Sequence, residues 1–430
     1  MKRGVKIVIV VLWFILAIVT AVFAVHYMEQ DSGQNSTGNI GGLSGDQVKI
    51  QATIAATPTA VPTETLMHIV PTATGTPTPT NTPTPTNTPT PTPSPTPVVV
   101  EIVISAAGDV TLGNNQKQSY KNTFHEAYDL YGEDYFLESV KDIFEADDFT
   151  IVNLECVLTN SENIRASKEW NMKGPPEYVR IIKNASVEAV SLGNNHIMDY
   201  QWEGVNDTFK TVSESGIEYA ISSPWGDRYG MYETEKGIKI GFVSVNEYYD
   251  GKAVYAWLEE GYYELRGQGA DLVFACMHWG GDKVYEPEPE QLELGHWLAD
   301  LGYDLVLGCH PHVIQGIEYY NGTYIVHSMG NFCYGGHMNP SDKDSMIFQQ
   351  TFTFVDGVLQ EETKIRAIPC SLSSVNWRND FKPTPLSGEA AKIWVSHLNQ
   401  YSERYGLVFD AEGYQVETGN DKEETDTVQQ

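Results

Sequence analysis

Apolar positions along this chain fall into three regimes. Residues 7–25 form an uninterrupted uncharged run behind the basic stretch Met1-Lys2-Arg3-Gly4-Val5-Lys6, long enough to cross a bilayer as a helix. With the basic flank (1–6) kept in the cytoplasm, this predicts a signal anchor that places everything downstream outside the membrane. Val22-Phe23-Ala24 also fits a small-residue cleavage pattern, so secretion after cleavage is the competing expectation. Residues 26–97 have no apolar periodicity: Gly, Ser and Gln give way to Thr and Pro, and Thr76-Pro77-Thr78-Pro79-Thr80-Asn81 recurs over 82–87. Such sequence cannot bury a core and predicts a disordered, extended polyproline linker, with 57–97 reaching up to roughly 130 Å as a stalk.

From 98 to 409 the pattern changes to short apolar runs alternating with helical spacings. The runs predict strands over 98–107, 149–154, 187–192, 238–245, 272–277, 305–307, 324–328 and 346–355. Helices are predicted over 176–184, 203–215, 290–301 and 388–405. That alternation points to a layered α/β domain whose first strands are parallel. Residues 410–430 are acidic and polar and predict a disordered tail.

The ends of these strands carry the chemistry. The first ends in Gly108-Asp109; the second contains Asn153 and runs into Glu155; the third leads to Gly193-Asn194-Asn195-His196, with Asp199 close behind. The strand at 272–277 ends in His278-Trp279-Gly280-Gly281, and that at 305–307 in Gly308-Cys309-His310-Pro311-His312. Singly, each has a structural reading: a turn cap for Asp109, a solvated charge for Glu155, a left-handed turn for Asn194-Asn195, a core histidine for His278, loop histidines for His310 and His312. Together they form a set of carboxylates, an amide oxygen and imidazoles suited to a divalent metal. Carboxyl ends of strands in an open α/β sheet line one crevice, which would bring them together.

Charge and cysteines narrow the picture. A formal net charge of −30 repels phosphate backbones at long range, which argues against a nucleic-acid-binding surface. Cys156, Cys276, Cys309, Cys333 and Cys370 are odd in number and contain no C-x-x-C pair; they read as buried small hydrophobes, with a thiolate zinc site as the alternative. His125, His296, His327, His337 and His397 fit no ligand pattern.

In order along the chain, Gly108-Asp109-Val110, Asn153-Leu154-Glu155, Asn194-Asn195-His196 with Asp199, His278-Trp279-Gly280, Gly308-Cys309-His310-Pro311-His312-Val313-Ile314-Gln315-Gly316 and Ser328-Met329-Gly330-Asn331-Phe332 resemble the CapA family of bacterial capsule-synthesis proteins, a branch of the calcineurin-like metallophosphoesterase superfamily. The resemblance implies a four-layer α/β/β/α sandwich with two stacked sheets, and a role in synthesis or export of a poly-gamma-glutamate or related surface polymer. It implies one or two divalent ions (Mn, Fe or Zn), with Asp109, Glu155 and His312 holding one and Glu155, Asn195, His278 and His310 the other. His196, oriented by Asp199, would be the general acid of a phosphoesterase-type reaction. Read from the residues, Asn153 and Asn331 could brace the site, with a turn as the alternative for Asn331, and Asp282 and Tyr285 could contact substrate or lie in a solvated loop. Two departures from the broader superfamily stand out: Thr111 occupies the place of a histidine, and Glu155 that of a shorter aspartate. Thr111 leaves the His312 side with fewer ligands, so a single ion is expected on the His310 side. Partners implied are the membrane through 7–25, an anionic polymer or phosphoester, and other capsule-synthesis subunits. The competing functions are a non-catalytic polymer-binding scaffold and a secreted metallophosphatase or nucleotidase.

Overall fold

The longest strand organises the sheet. β1 (Val99–Thr111) pairs in parallel with β2 (Phe149–Leu154) on one side and antiparallel with a long strand, Asp344–Val355, on the other. This computed structural model describes residues 96–224, 226–248 and 251–416. The expected anchor over 7–25, nearly all of the linker and the end of the acidic tail lie outside the described residues. No helix among the described residues is long and apolar enough to cross a membrane.

Beyond β2 the sheet continues in parallel through β3 (Ala189–Ser191), β4 (Glu218–Ser223), β5 (Lys239–Asn246), β6 (Leu272–His278) and β7 (Leu305–Cys309). The hairpin of β8 (Ile317–Tyr320) and β9 (Thr323–Val326) closes that edge. On the other flank, β10 (Asn331–Tyr334) pairs in parallel with the end of β1, and β11 (Asp344–Val355) leads to β12 (Lys364–Ser371). Where two stacked sheets were expected, the hydrogen bonding runs unbroken from β8 to β12. The sheet curls so that its two halves face each other.

Period-2 alternation shows how. On β6, Leu272, Phe274 and Cys276 enter a core shared with Ile102 and Ile104 of β1 and Phe348 and Phe352 of β11; the Phe274 and Phe352 rings lie 5.9 Å apart. The intervening Val273, Ala275 and Met277 pack outward with residues of α3 (Gly251–Gly267) and α4 (Pro289–Leu301), as opposite faces of a pleated strand require. On the other half, Val152, Leu154 and Val190 face outward toward α1 (Phe124–Tyr131), α2 (Gln201–Glu214) and Phe136. A last helix, α5 (Gly388–Ser402), adds Trp394 and Leu398 to the shared core.

Most predicted strands and helices coincide with observed ones to within a few residues. The helix expected over 176–184 is a short 3₁₀ turn followed by Val179–Lys183. α3 had no clear signal: its buried positions Val254, Leu258, Gly261 and Leu265 have helical spacing, but Tyr, Trp and Gly elsewhere in the segment blur the apolar stripe. Gly261 has a packing reason, since a Cβ there would sit 2.6 Å from the Val243 side chain of β5. Ordered structure also runs past 409, because Gln415–Val416 pairs with Val408–Phe409. All five cysteines are free and buried, and none joins a candidate ligand group among the described residues.

Two expectations follow for stability. Phe274→Ala should cost about 3–5 kcal/mol, read as a lower urea midpoint with an unchanged m-value. Asp304 accepts from Val273 N–H at 2.6 Å and from Arg266 at 2.7 Å, yet burial raises its carboxyl to about 6. A raised carboxyl binds its proton more tightly when folded, so its stabilisation is fullest below the unfolded value of about 3.9. Relative to Asp304→Asn, wild-type stability should therefore fall from pH 4 to about 6 and then level off, measured by urea unfolding at each pH.

Candidate metal centre

Register brings the strand-end residues to one edge. Asp109 lies opposite Asn153 on one neighbour and Asn331 on the other, while His278 lies opposite Cys309, the residue before His310. Asp109 does not sit after a strand, as expected, but within one. The β1–β2 register shifts between Ala107 and Asp109, and a bulge of this kind re-aims the side chain that follows it. Gly108 permits it: a Cβ there would meet the Gly330 carbonyl oxygen at 1.9 Å.

The His310-Pro311-His312 turn is more contorted than its sequence suggests. His310 has φ 99° and His312 φ 59°, in the left-handed region that non-glycine residues avoid and that, when held, is characteristic of functional sites. The surrounding contacts hold it there. His310 N–H donates to Asp109 Oδ2 at 3.4 Å, Lys283 N–H donates to the Pro311 carbonyl at 2.8 Å, and Asn331 Nδ2 donates to the His312 carbonyl at 3.0 Å.

Among the described residues, two groups of side chains have ligand atoms close enough to hold a cation: Glu155, His310 and His312; and Asp109, Glu155 and His278. Glu155 belongs to both. Its Oε1 lies 3.6 Å from His278 Nε2 and 3.8 Å from His312 Nε2. Five buried polar atoms in this cluster have no hydrogen-bond partner among the described residues: Glu155 Oε1 and Oε2, Asn195 Oδ1, His278 Nε2 and His310 Nδ1. Unpartnered buried polar atoms are costly, and these are all oxygen and imidazole atoms of the kind that ligate divalent metals. The residues therefore fit a metal. The unpartnered atoms are also those of the set expected on the His310 side; Asp109 and His312 engage each other, with His312 Nδ1 3.2 Å from Asp109 Oδ2. Thr111, where a histidine ligand would stand, instead donates to the Glu155 carbonyl at 3.3 Å.

The electrostatics have the same origin. Burial, reinforced by Asp109, holds the Glu155 carboxyl well above its usual value, and burial pushes His278 well below 6.5. Burial also works against a charge on His312, but Glu155 and Asp109 outweigh it and raise the imidazole to about 10. Asp282 is held low by its bond to His310.

Around this cluster the supporting contacts are specific. His310 Nε2 lies 3.1 Å from Asp282 Oδ1 and 2.8 Å from the Tyr248 hydroxyl, which leaves Nδ1 facing the cluster; orientation of a ligating imidazole through its other nitrogen is a common device. Asn153 donates to Asp109 Oδ1 at 2.8 Å and accepts from Ser191 and Asn194. Asn194 is thus a buried brace rather than a turn residue. Asn331 Oδ1 is 3.0 Å from His312 Nδ1.

His196 is buried with Nδ1 2.5 Å from Asp199 Oδ2 and Nε2 3.9 Å from Glu155 Oε1. Sequence reading missed the third member of this group: Lys168 Nζ contacts Asp199 Oδ1 at 2.8 Å, the Asn195 carbonyl at 2.8 Å and His196 Nδ1 at 3.0 Å. Nothing in Ser167-Lys168-Glu169 marks it, and Tyr248 was missed for the same lack of pattern. Tyr285 hydrogen-bonds Asp342 at 2.7 Å. Of the remaining histidines, His296 and His327 share Glu318, away from the candidate ligands, and His337 lines the cavity beside His312.

Asp199 is fully buried and Lys168 is its cation. Removing one member of a buried pair costs roughly 3 kcal/mol or more. Lys168→Met should lower the unfolding free energy by about that much in urea titrations, and unchanged stability would refute the pairing.

Comparison with known proteins now bears on this geometry. A family model described as bacterial capsule synthesis protein PGA_cap matches residues 103–335, a stretch containing every residue named in the cluster. The chain is 25% identical over 272 residues to capsule biosynthesis protein CapA of Bacillus anthracis, covering 58% of this chain and 63% of that protein. It is 28% identical over 232 residues to PGA biosynthesis protein CapA of Bacillus subtilis, covering 47% and 57%. A probable polyglutamine synthesis accessory protein of Mycobacterium tuberculosis is 25% identical over 292 residues, covering 61% of this chain and 74% of that one. The matched region thus spans about three fifths of the two Bacillus proteins. With more than half of its residues matched by the family model, the chain belongs to the bacterial capsule synthesis protein PGA_cap family.

Proposed function

We propose that this protein is an accessory component of polyglutamate-type capsule or surface-polymer synthesis or export, anchored by residues 7–25 with its folded domain outside the membrane, and that its strand-end cluster is a metal-dependent phosphoesterase-type site. The relatives named for capsule and polyglutamate synthesis support the first part, and other synthesis subunits are its natural partners. The second part is carried by one observation: Glu155, His278 and His310, which the fold groups with Asp109 and His312 at ligating distances, keep buried oxygen and nitrogen atoms without a hydrogen-bond partner among the described residues.

Glu155, Asn195, His278 and His310 would hold one divalent ion, and Asp109, Glu155 and His312 a second. Such an ion supplies Lewis-acid polarisation of a phosphoryl oxygen and a lowered water pKa. The protein's own residues do the rest. Asp282 and Tyr248 fix the His310 ring by its Nε2. Asp199 holds His196 by its Nδ1, so Nε2 faces the cluster and can deliver a proton to a leaving oxygen. Lys168 ties the Asp199 carboxylate to the Asn195 backbone, which keeps the acid and the ligand in register. The donor set is nitrogen and oxygen without thiolate, compatible with Mn, Fe or Zn.

Metal content of the purified protein, with p-nitrophenyl phosphate and bis(p-nitrophenyl) phosphate as substrates, tests this. At least one ion per chain is expected, with loss of metal and at least a hundredfold fall in turnover in His310→Ala, as for loss of a transition-state charge stabiliser. His196→Ala should retain metal and lose turnover. No metal under any loading condition would overturn the site assignment. Metal without turnover of any phosphoester would favour the non-catalytic polymer-binding reading.

A further inference from the structure

Candidate ligands line two adjoining cavities, of about 690 and 470 Å³: His310 the first, His312 the second and Asn195 both, with Asp282 shared as well. Arg165, Asn246, Tyr248 and His310 line the first. Trp170, His196, Lys283, Tyr285 and His312 line the second. A phosphomonoester has a single organic substituent and would fill one cavity only. A phosphodiester places a substituent on each side of phosphorus and matches both.

Charge points the same way. On a chain of net charge −30, many surface cations are tied to carboxylates, among them Lys117, Lys173, Arg228, Arg266, Lys382 and Arg404. The exposed Arg165 in the first cavity and the exposed Lys283 in the second have no carboxylate partner among the described residues. Lys283 is also held in place: its φ is 60° and its N–H is bonded to the Pro311 carbonyl within the histidine turn. One unpaired cation therefore stands at each cavity. Trp170, 52% exposed with the Lys117 ammonium 4.9 Å over its ring, also lines the second cavity.

We infer that the crevice takes an internal linkage of a linear, polyanionic phosphodiester chain, laid across the ligand cluster with one flanking unit at Arg165 and the other at Lys283. The choice of phosphodiester rests on the phosphoesterase reading of the site; the two-armed binding mode rests on the cavities and cations alone. His196 lines the second cavity, so hydrolysis would add water across the P–O bond, leaving the new phosphomonoester end in the first cavity and an alcohol, protonated by His196, in the second.

Binding and cleavage separate the possibilities. The full-length protein loaded with Mn²⁺ is titrated with inorganic phosphate, with glycerol-phosphate oligomers of one, two and four units, and with poly-gamma-glutamate. Affinity should rise about tenfold or more from the monomer to the tetramer, consistent with one added charge-assisted contact. Arg165→Ala and Lys283→Ala should each weaken tetramer binding by about five- to tenfold while leaving inorganic phosphate and Mn²⁺ affinity unchanged. In turnover, bis(p-nitrophenyl) phosphate should be preferred over p-nitrophenyl phosphate. Inorganic phosphate bound as tightly as the tetramer, or variants without effect on the tetramer, would overturn the two-armed crevice. Polyglutamate spanning both arms where phosphodiester oligomers do not bind would overturn the substrate class. Length-dependent oligomer binding without hydrolysis of any ester would support the crevice and refute the phosphoesterase reading instead.

Discussion

Glu155 is buried at the centre of the strand-end cluster, and the surrounding scaffold is arranged about its carboxylate. Its carboxylate is 1% exposed, neither oxygen has a hydrogen-bond partner among the described residues, and a second buried carboxylate, Asp109, lies in the same cluster. Isolated, such a group would be strongly destabilising, because desolvation of a carboxylate is recovered only through compensating charge and directed donors. Three imidazoles, His278, His312 and His196, stand within 3.9 Å of its Oε1. A cation bound among them would resolve the burial, and its absence would leave a cost with no structural benefit.

The scaffold is arranged to hold that group in place. Parallel strands align their carboxyl ends, so register carries Asp109, Asn153, His278 and Cys309 to the same edge, where Asn331, the first residue of β10, pairs with Asp109. The left-handed residues at His310 and His312 are each disfavoured by about 1–3 kcal/mol, and the well-packed core between the two halves of the curled sheet can sustain that strain. The bulge at Gly108 and the turn at Pro311 both aim side chains at this edge: Asp109 N–H donates to the Gly330 carbonyl beside the first, and the Pro311 carbonyl accepts from Lys283 N–H in the second.

The acidity of the chain bears on any anionic ligand of this centre. A negative surface repels anions at long range, so an anionic substrate needs local positive charge once it arrives. Arg165 and Lys283 are exposed at the two cavities without a carboxylate partner among the described residues, while Lys168, three residues from Arg165, is committed to the interior pair with Asp199.

The α/β alternation, the positions of most long strands and the residues at their ends could be read from local pattern, because side-chain period and ligand chemistry are local properties. Asp109, Glu155, Asn195, His278, His310 and His312 were legible on that basis as strand-end residues, whereas the place of Thr111 was read through the family resemblance. Matters of distance between remote segments were not legible in this way; only the tertiary structure decided them. They include the closing of one sheet on itself, the inclusion of Asp109 within β1 rather than after it, the choice of His310 Nδ1 as the atom facing the cluster, and the recruitment of Lys168, Tyr248, Arg165 and Lys283. No spacing rule links Lys168 to Asp199 or Tyr248 to His310; they meet because packing of the two sheet halves and their loops brings them within hydrogen-bond reach.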